Sequence, residues 1–266
     1  MFARIFTFTF GIAAYAAFFA TLLMFMGWML GIGLGVVMPL DAPATAPLGQ
    51  ALLVDLMLVA LFGLQHSVMA RPAFKAWWTR YLPQPLERSV YVLASSLALY
   101  VLMAFWQPLG GVVWSADSMA GQVAFYAGHA LGWVVLFLAT FLINHFDLFG
   151  LRQVWLYFQG KKYEQIKFRL PLFYRYARHP LYFGFLIAFW AAPTMTVTHL
   201  LFALLTTGYI LTAIQLEERD LVVQYGDAYR NYKKWAPMLI PFTKGKMPEQ
   251  ADTVPAEEKE TPAPLY

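Results

Sequence analysis

The sequence predicts an all-α protein: a polytopic membrane bundle of about six helical spans, the last two forming a hairpin, with both termini cytoplasmic. Three observations carry that expectation. Hydrophobic residues make up 60% of the 266 positions and charged residues 13%, whereas a soluble globular chain is roughly a quarter charged, so there are too few charges to cover a water-facing surface. The apolar residues gather in long runs, and about 20 in a row suffice to cross the hydrocarbon of a bilayer. All 19 lysines and arginines fall in alternate connections between those runs, the asymmetry expected of cytoplasmic loops.

The first span lies within residues 5–40, which hold no charge. Small residues at 13–17 imitate a signal-peptide cleavage site, but the apolar run continues far beyond a usual signal core, so a retained span is expected. Gly27, Gly31 and Gly35 recur at the spacing that lets membrane helices approach closely, which predicts a packing stripe. Gly31, Gly33 and Gly35 also imitate part of a dinucleotide fingerprint, but they follow no strand and open no βαβ unit. Further spans are predicted over 48–70, 89–106, 119–148, 181–192 and 198–216. Pro180 and Pro193 bracket the fifth, which predicts a tight hairpin with the sixth, turning over 192–196. Arg4 precedes the first span; the other basic residues lie between spans two and three, between four and five, and after six. The connections around Asp41, Asp117 and Pro193 hold none, and they are expected to be periplasmic. Residues 1–242 thus read as one transmembrane domain of a bacterial inner membrane, and 243–266, rich in Pro, Glu and Lys, as a disordered cytoplasmic tail.

Composition also excludes chemistry. The chain has no cysteine, which removes disulfides, thiolate metal sites and a cysteine nucleophile together. Five histidines are too few and too scattered for a diiron oxidase, and no metal site is expected. The net charge of +4 follows membrane topology, so nucleic acid is not an expected partner; the lipid bilayer is. Nothing in the sequence speaks to oligomeric state.

Two polar clusters stand out. The segment Tyr174-Arg175-Tyr176-Ala177-Arg178-His179-Pro180-Leu181-Tyr182-Phe183-Gly184 carries a basic loop into the fifth span. Pro180 suits the first turn of a helix, whose free N–H groups, with Arg178 as a bidentate clamp, suit a carboxylate or phosphate. An interfacial belt of Arg and Tyr is the structural alternative. At the far end of the hairpin comes Glu217-Glu218-Arg219-Asp220-Leu221. Adjacent carboxylates suit an ammonium, ribose hydroxyls or a sulfonium, and Tyr225, Tyr229 and Tyr232 follow at helical spacing with faces for a ring or a cation. Anion clamp, acidic pair and aromatic stripe together fit an adenosyl amino acid; an ordinary charged helix end is the alternative.

The pattern Arg178-His179-Pro180, Tyr182, Gly184, Glu217-Glu218, Leu221, Gly226, Tyr229, Tyr232 and Pro241 resembles the C-terminal signature of the isoprenylcysteine carboxyl methyltransferase and phospholipid methyltransferase superfamily. The resemblance implies an S-adenosylmethionine pocket over about 170–241, with cofactor-binding roles for Tyr174, Arg178, His179, Pro180, Tyr182, Gly184, Glu217, Glu218, Tyr229 and Tyr232. Upstream, Leu64-Gln65-His66-Ser67-Val68-Met69-Ala70-Arg71, Glu87-Arg88-Ser89 and 144–153 look like bacterial methanethiol S-methyltransferases; NnrU-type proteins share part of the first motif. That similarity implies methyl transfer to methanethiol, a small thiol substrate, giving dimethyl sulfide and S-adenosylhomocysteine. Methylation of a prenylcysteine carboxylate or a lipid amine, an NADPH-dependent reductase of the sterol-reductase type, and a nonenzymatic structural protein stay open as alternatives. For proton removal, ionisable groups near the cytoplasmic ends of spans are the candidates. His66 is expected to be the general base, Asp147 its partner and His145 the substitute; a plain interhelical hydrogen bond of His66 and an Asp147–Arg152 ion pair are the structural alternatives.

Overall fold

A computed structural model shows the architecture, and the structure describes residues 1–32, 35–164, 166 and 169–245. In chain order it contains α1 (Phe2–Met29), α2 (Leu48–Ala70), α3 (Pro72–Trp78), α4 (Glu87–Phe105), β1 (Val112–Ser115), α5 (Met119–Ile143), α6 (His145–Leu148), α7 (Leu151–Phe158), α8 (Pro180–Trp190), β2 (Thr194–Thr196), α9 (Val197–Tyr225) and α10 (Asp227–Trp235). Among the described residues, α1, α2, α4, α5 and α9 are long and apolar enough to cross a membrane. The protein is therefore an all-α polytopic bundle.

Helix starts follow their capping residues. Ser118 Oγ accepts from Gly121 N at 3.1 Å to open α5, and Thr196 Oγ1 accepts from His199 N at 2.9 Å to open α9, each satisfying a backbone donor that the helix leaves free. Pro72 and Pro180 occupy the first turns of α3 and α8, where a missing N–H has no cost. Inside, Phe25, Trp28, Trp106, Trp133, Phe189 and Phe202 interlock edge to face, with Trp28 and Phe202 centroids 5.5 Å apart at 82°.

Two expectations change. The glycine stripe does not form: α1 stops at Met29, and Gly31 and Gly35 have φ of +77° and +69°, so they turn the chain instead of lining a helix; Gly33 lies outside the described residues. The close helix crossing is between α5 and α8, where a Cβ on Gly132 would sit 2.6 Å from Ala188 N and one on Gly184 2.7 Å from Gly132 O. The fourth span breaks at Asn144, whose φ is 151° and whose Oδ1 accepts from Asp147 N at 3.2 Å, so α6 and α7 follow as separate short helices. The fifth span is α8, with 11 residues and a rise of about 16 Å, half the roughly 30 Å of hydrocarbon. It packs chiefly on α5 and secondarily on α9.

The three connections without lysine or arginine meet at one end. β1 pairs antiparallel with β2, Ala116 N donates to Pro193 O at 2.8 Å, and Thr196 Oγ1 donates to Asp41. His199 Nδ1 lies 3.2 Å from the other Asp41 oxygen. This small sheet was not expected from the sequence; it occupies the turn predicted over 192–196. The opposite end carries the basic residues, including the Arg71–Asp220 ion pair that ties α2 to α9. Residues 246–266, most of the predicted tail, lie outside the described residues.

Candidate functional site

At the basic end, the chain entering α8 is held against the segment that follows α10: Arg178 N donates to Pro237 O at 2.9 Å and His179 N to Met238 O at 3.1 Å. This places Arg178 and His179 over Glu218, which is 3% exposed. Its Oε1 accepts from Arg178 Nε at 2.6 Å and lies 3.1 Å from His179 Nε2, while Lys233 Nζ is 2.7 Å from its Oε2. Tyr229 OH donates to the same carboxylate at 3.4 Å. A buried carboxylate is tolerable when so paired. Arg178 also donates to the carbonyl of Ala236, and Tyr232 OH to those of Tyr174 and Ala177. Burial first, and then Glu218, pushes the Tyr229 phenol up; burial does the same for Tyr232. Both remain neutral donors and braces. The arginine expected to clamp an anion is engaged with Glu218 and the backbone.

Glu217 faces a different environment. Its Oε2 accepts from Tyr182 OH at 2.9 Å and lies 3.9 Å from His179 Nδ1, and its side chain is 28% exposed. The Ser67–Tyr209 and Arg71–Asp220 contacts fasten α9 to α2 on either side of it. Burial, then Glu217, pushes the Tyr174 phenol well up. The hairpin cluster therefore adjoins a second one on α2 and α4. There His66 Nε2 lies 2.9 Å from Tyr91 OH and Nδ1 3.1 Å from Ser95 Oγ, with the ring stacked on Phe62 at 5.4 Å. One residue on, Ser67 Oγ is 3.3 Å from Tyr209 OH of α9. Beyond it lie the Arg71–Asp220 pair and the buried Lys75, whose ammonium is pulled down to about 6 by burial and then by Arg88.

The remaining candidates fall elsewhere. Pro180 starts α8, and Gly184 faces the backbone of α5 at the close crossing, a packing position. His145 sits between α1 and α5 with Nε2 2.7 Å from Tyr15 OH, Nδ1 2.9 Å from Thr140 Oγ1, and its ring stacked 4.3 Å from Phe141; burial lowers its pKa. Asp147 accepts from Arg152 at 2.9 Å and from Tyr163 OH at 3.2 Å, so it is not the partner of His66, whose ring nitrogens meet Tyr91 and Ser95. The loop break at Asn144 turns Asp147 toward its own near neighbours. Tyr91, Ser95, Tyr209 and Lys233 were missed. Tyr91 and Ser95, four apart on an apolar helix, carried a signal: polar groups stacked on one face of a membrane span need partners there.

No family model matches the chain, and no solved structure matches it. Curated relatives do. The chain is 53% identical over 239 residues to methanethiol S-methyltransferase of Crocosphaera subtropica, covering 90% of this chain and 93% of the relative. It is 48% identical over 241 residues to methanethiol S-methyltransferase of Mycobacterium tuberculosis, covering 90% and 97%. A more distant similarity is to Nurim of Rattus norvegicus, 36% identical over 176 residues, covering 63% and 66%.

Proposed function

The chain belongs to the methanethiol S-methyltransferase family, and from that membership we propose that it moves the methyl group of S-adenosylmethionine onto methanethiol. The observation that carries the reading is the gathering of the Glu217–Tyr182 pair and the His66–Tyr91 pair at the basic end, where the Arg71–Asp220 ion pair ties α2 to α9. A half-open carboxylate beside neutral tyrosines suits the ammonium and sulfonium of this cofactor. Glu217, Tyr182, Tyr174 and His179 are proposed to face it, while Arg178, Glu218, Tyr229 and Tyr232 frame the wall. The bound cofactor supplies a methyl group on a positively charged sulfur, activated for displacement, and that sulfur keeps the bonding pair as the methyl leaves.

The chain supplies alignment, exclusion of water and a proton acceptor. Each ring nitrogen of the half-buried His66 lies on a hydroxyl, so the thiol proton is taken to reach the ring through Tyr91 or Ser95. The S–H bond breaks, the thiolate sulfur bonds to the methyl carbon, and dimethyl sulfide and S-adenosylhomocysteine result. Asp147 and His145, each satisfied locally, are read as structural. The basic end is assigned to the cytoplasm of a bacterial inner membrane.

Purified protein supplied with methyl-labelled S-adenosylmethionine and a thiol series tests the reading. Labelled dimethyl sulfide from methanethiol is expected. Label in no thiol, or in a prenylcysteine ester instead, overturns it.

A further inference from the structure

Arg88, at the start of α4, is 4% exposed, and its Nε and Nη2 have no hydrogen-bond partner among the described residues. The hydroxyl of the adjoining Ser89, fully buried, is in the same condition. A desolvated guanidinium with idle donors is costly, so an acceptor belongs beside it. Nearby, Arg71 is paired with Asp220, and Lys75 is drawn toward its neutral form by burial first and then by Arg88. Arg88 is the guanidinium left here with idle donors.

Its guanidinium carbon lies 5.5 Å from the centre of the Tyr91 ring, Tyr91 OH lies 2.9 Å from His66 Nε2, and the Ser67–Tyr209 and Arg71–Asp220 contacts fasten α2 to α9 on either side of Glu217. Tyr91 thus stands beside a buried cation with idle donors, at the end of the bundle that also carries the half-open carboxylate. An α-amino acid carries an ammonium and a carboxylate on one carbon, and needs that pairing. The arginine that the sequence offered for the carboxylate, Arg178, has its Nε on Glu218 and an Nη on Ala236.

We propose that Arg88 receives the carboxylate of the cofactor's amino-acid end while Glu217 receives its ammonium. The proposal rests on the S-adenosylmethionine reading above, and its test separates the two. Titration calorimetry compares S-adenosylhomocysteine with its decarboxylated analogue, which keeps the amine and loses only the carboxylate. Arg88→Gln and Arg88→Met are compared with the unmodified protein, and thermal melts select whichever variant is folded. S-adenosylhomocysteine is expected to weaken by at least about tenfold, since losing one member of a desolvated charge pair has effects of that size or larger, whereas the decarboxylated analogue changes by less than about twofold. Equal weakening of both ligands, or of neither, overturns the assignment to Arg88 and leaves the cofactor reading intact. An unmodified protein that binds neither ligand overturns the cofactor reading and the proposal with it.

Discussion

Glu217 and Glu218 are neighbours in sequence with opposite duties. Glu218 is enclosed by Arg178, His179 and Lys233, and Glu217 is half-open beside Tyr182. Glu218→Ala leaves Arg178 buried without its counter-charge, an expected loss of about 3–5 kcal/mol, seen as a marked fall in melting temperature. Glu217→Gln is expected to melt close to the unmodified protein yet bind S-adenosylhomocysteine at least about tenfold more weakly. The reverse pattern would exchange the two roles. Lys75 gives a pH signature. Its pKa falls from 10.5 unfolded to about 6 folded, so between those values the unfolded chain binds a proton that the folded chain lacks, and stability rises with pH. Below about pH 6 the burial penalty is fully present. Relative to Lys75→Met, the unmodified protein should therefore gain melting temperature from pH 6 to 9; parallel curves would refute this. The sequence made Arg178, His179, Glu217 and Glu218 conspicuous, because charges at a span boundary have few structural excuses. It did not reveal that Glu218 takes Arg178, because that contact joins residues forty apart through a bend after α10. Arg88 stayed in the background for a related reason: its interest lies in missing partners.

At the scale of elements, prolines and apolar runs were reliable guides. Pro180 begins α8 and Pro193 precedes β2, while the long spans start within three residues of where composition placed them, although α1 stops at Met29 and α9 runs on to Tyr225, past the predicted end at 216. The break at Asn144 was hidden, because no proline or glycine stands there and apolar residues continue past it. The glycine spacing in the first span was misleading, since Gly31 and Gly35 take a left-handed backbone that only the fold around them selects. The glycines that matter for packing, Gly132 and Gly184, lie on different helices, and no single-helix motif announces them. Gly132→Ala pushes a methyl into the backbone of α8, which cannot rotate away as a side chain would. Overpacking of this kind costs about 1–3 kcal/mol, so a lower melting temperature is expected. A melt unchanged from the unmodified protein would mean that α5 and α8 separate easily.

Across the whole molecule, the distribution of charge and the architecture agree on two unlike ends. One gathers Asp41, Thr196 and the β1–β2 pair; the other gathers Arg71, Arg178 and Lys233. Because the chain has no cysteine, single replacements at Asp41 or Asp117 give a clean labelling background. Membrane-impermeant maleimide should react with them from the periplasmic side; reaction from the cytoplasmic side alone would invert the molecule and the entry route of the cofactor. The short α8 sets a further condition on the surroundings. It has 11 residues where its neighbours α5 and α9 have 25 and 29, so the bundle presents an uneven hydrophobic thickness to the lipid. Bilayers answer such mismatch by local thinning, at a cost that grows with acyl length. In liposomes of increasing chain length, turnover should therefore fall as the bilayer thickens, and this enzyme's activity becomes a gauge of the membrane that holds it.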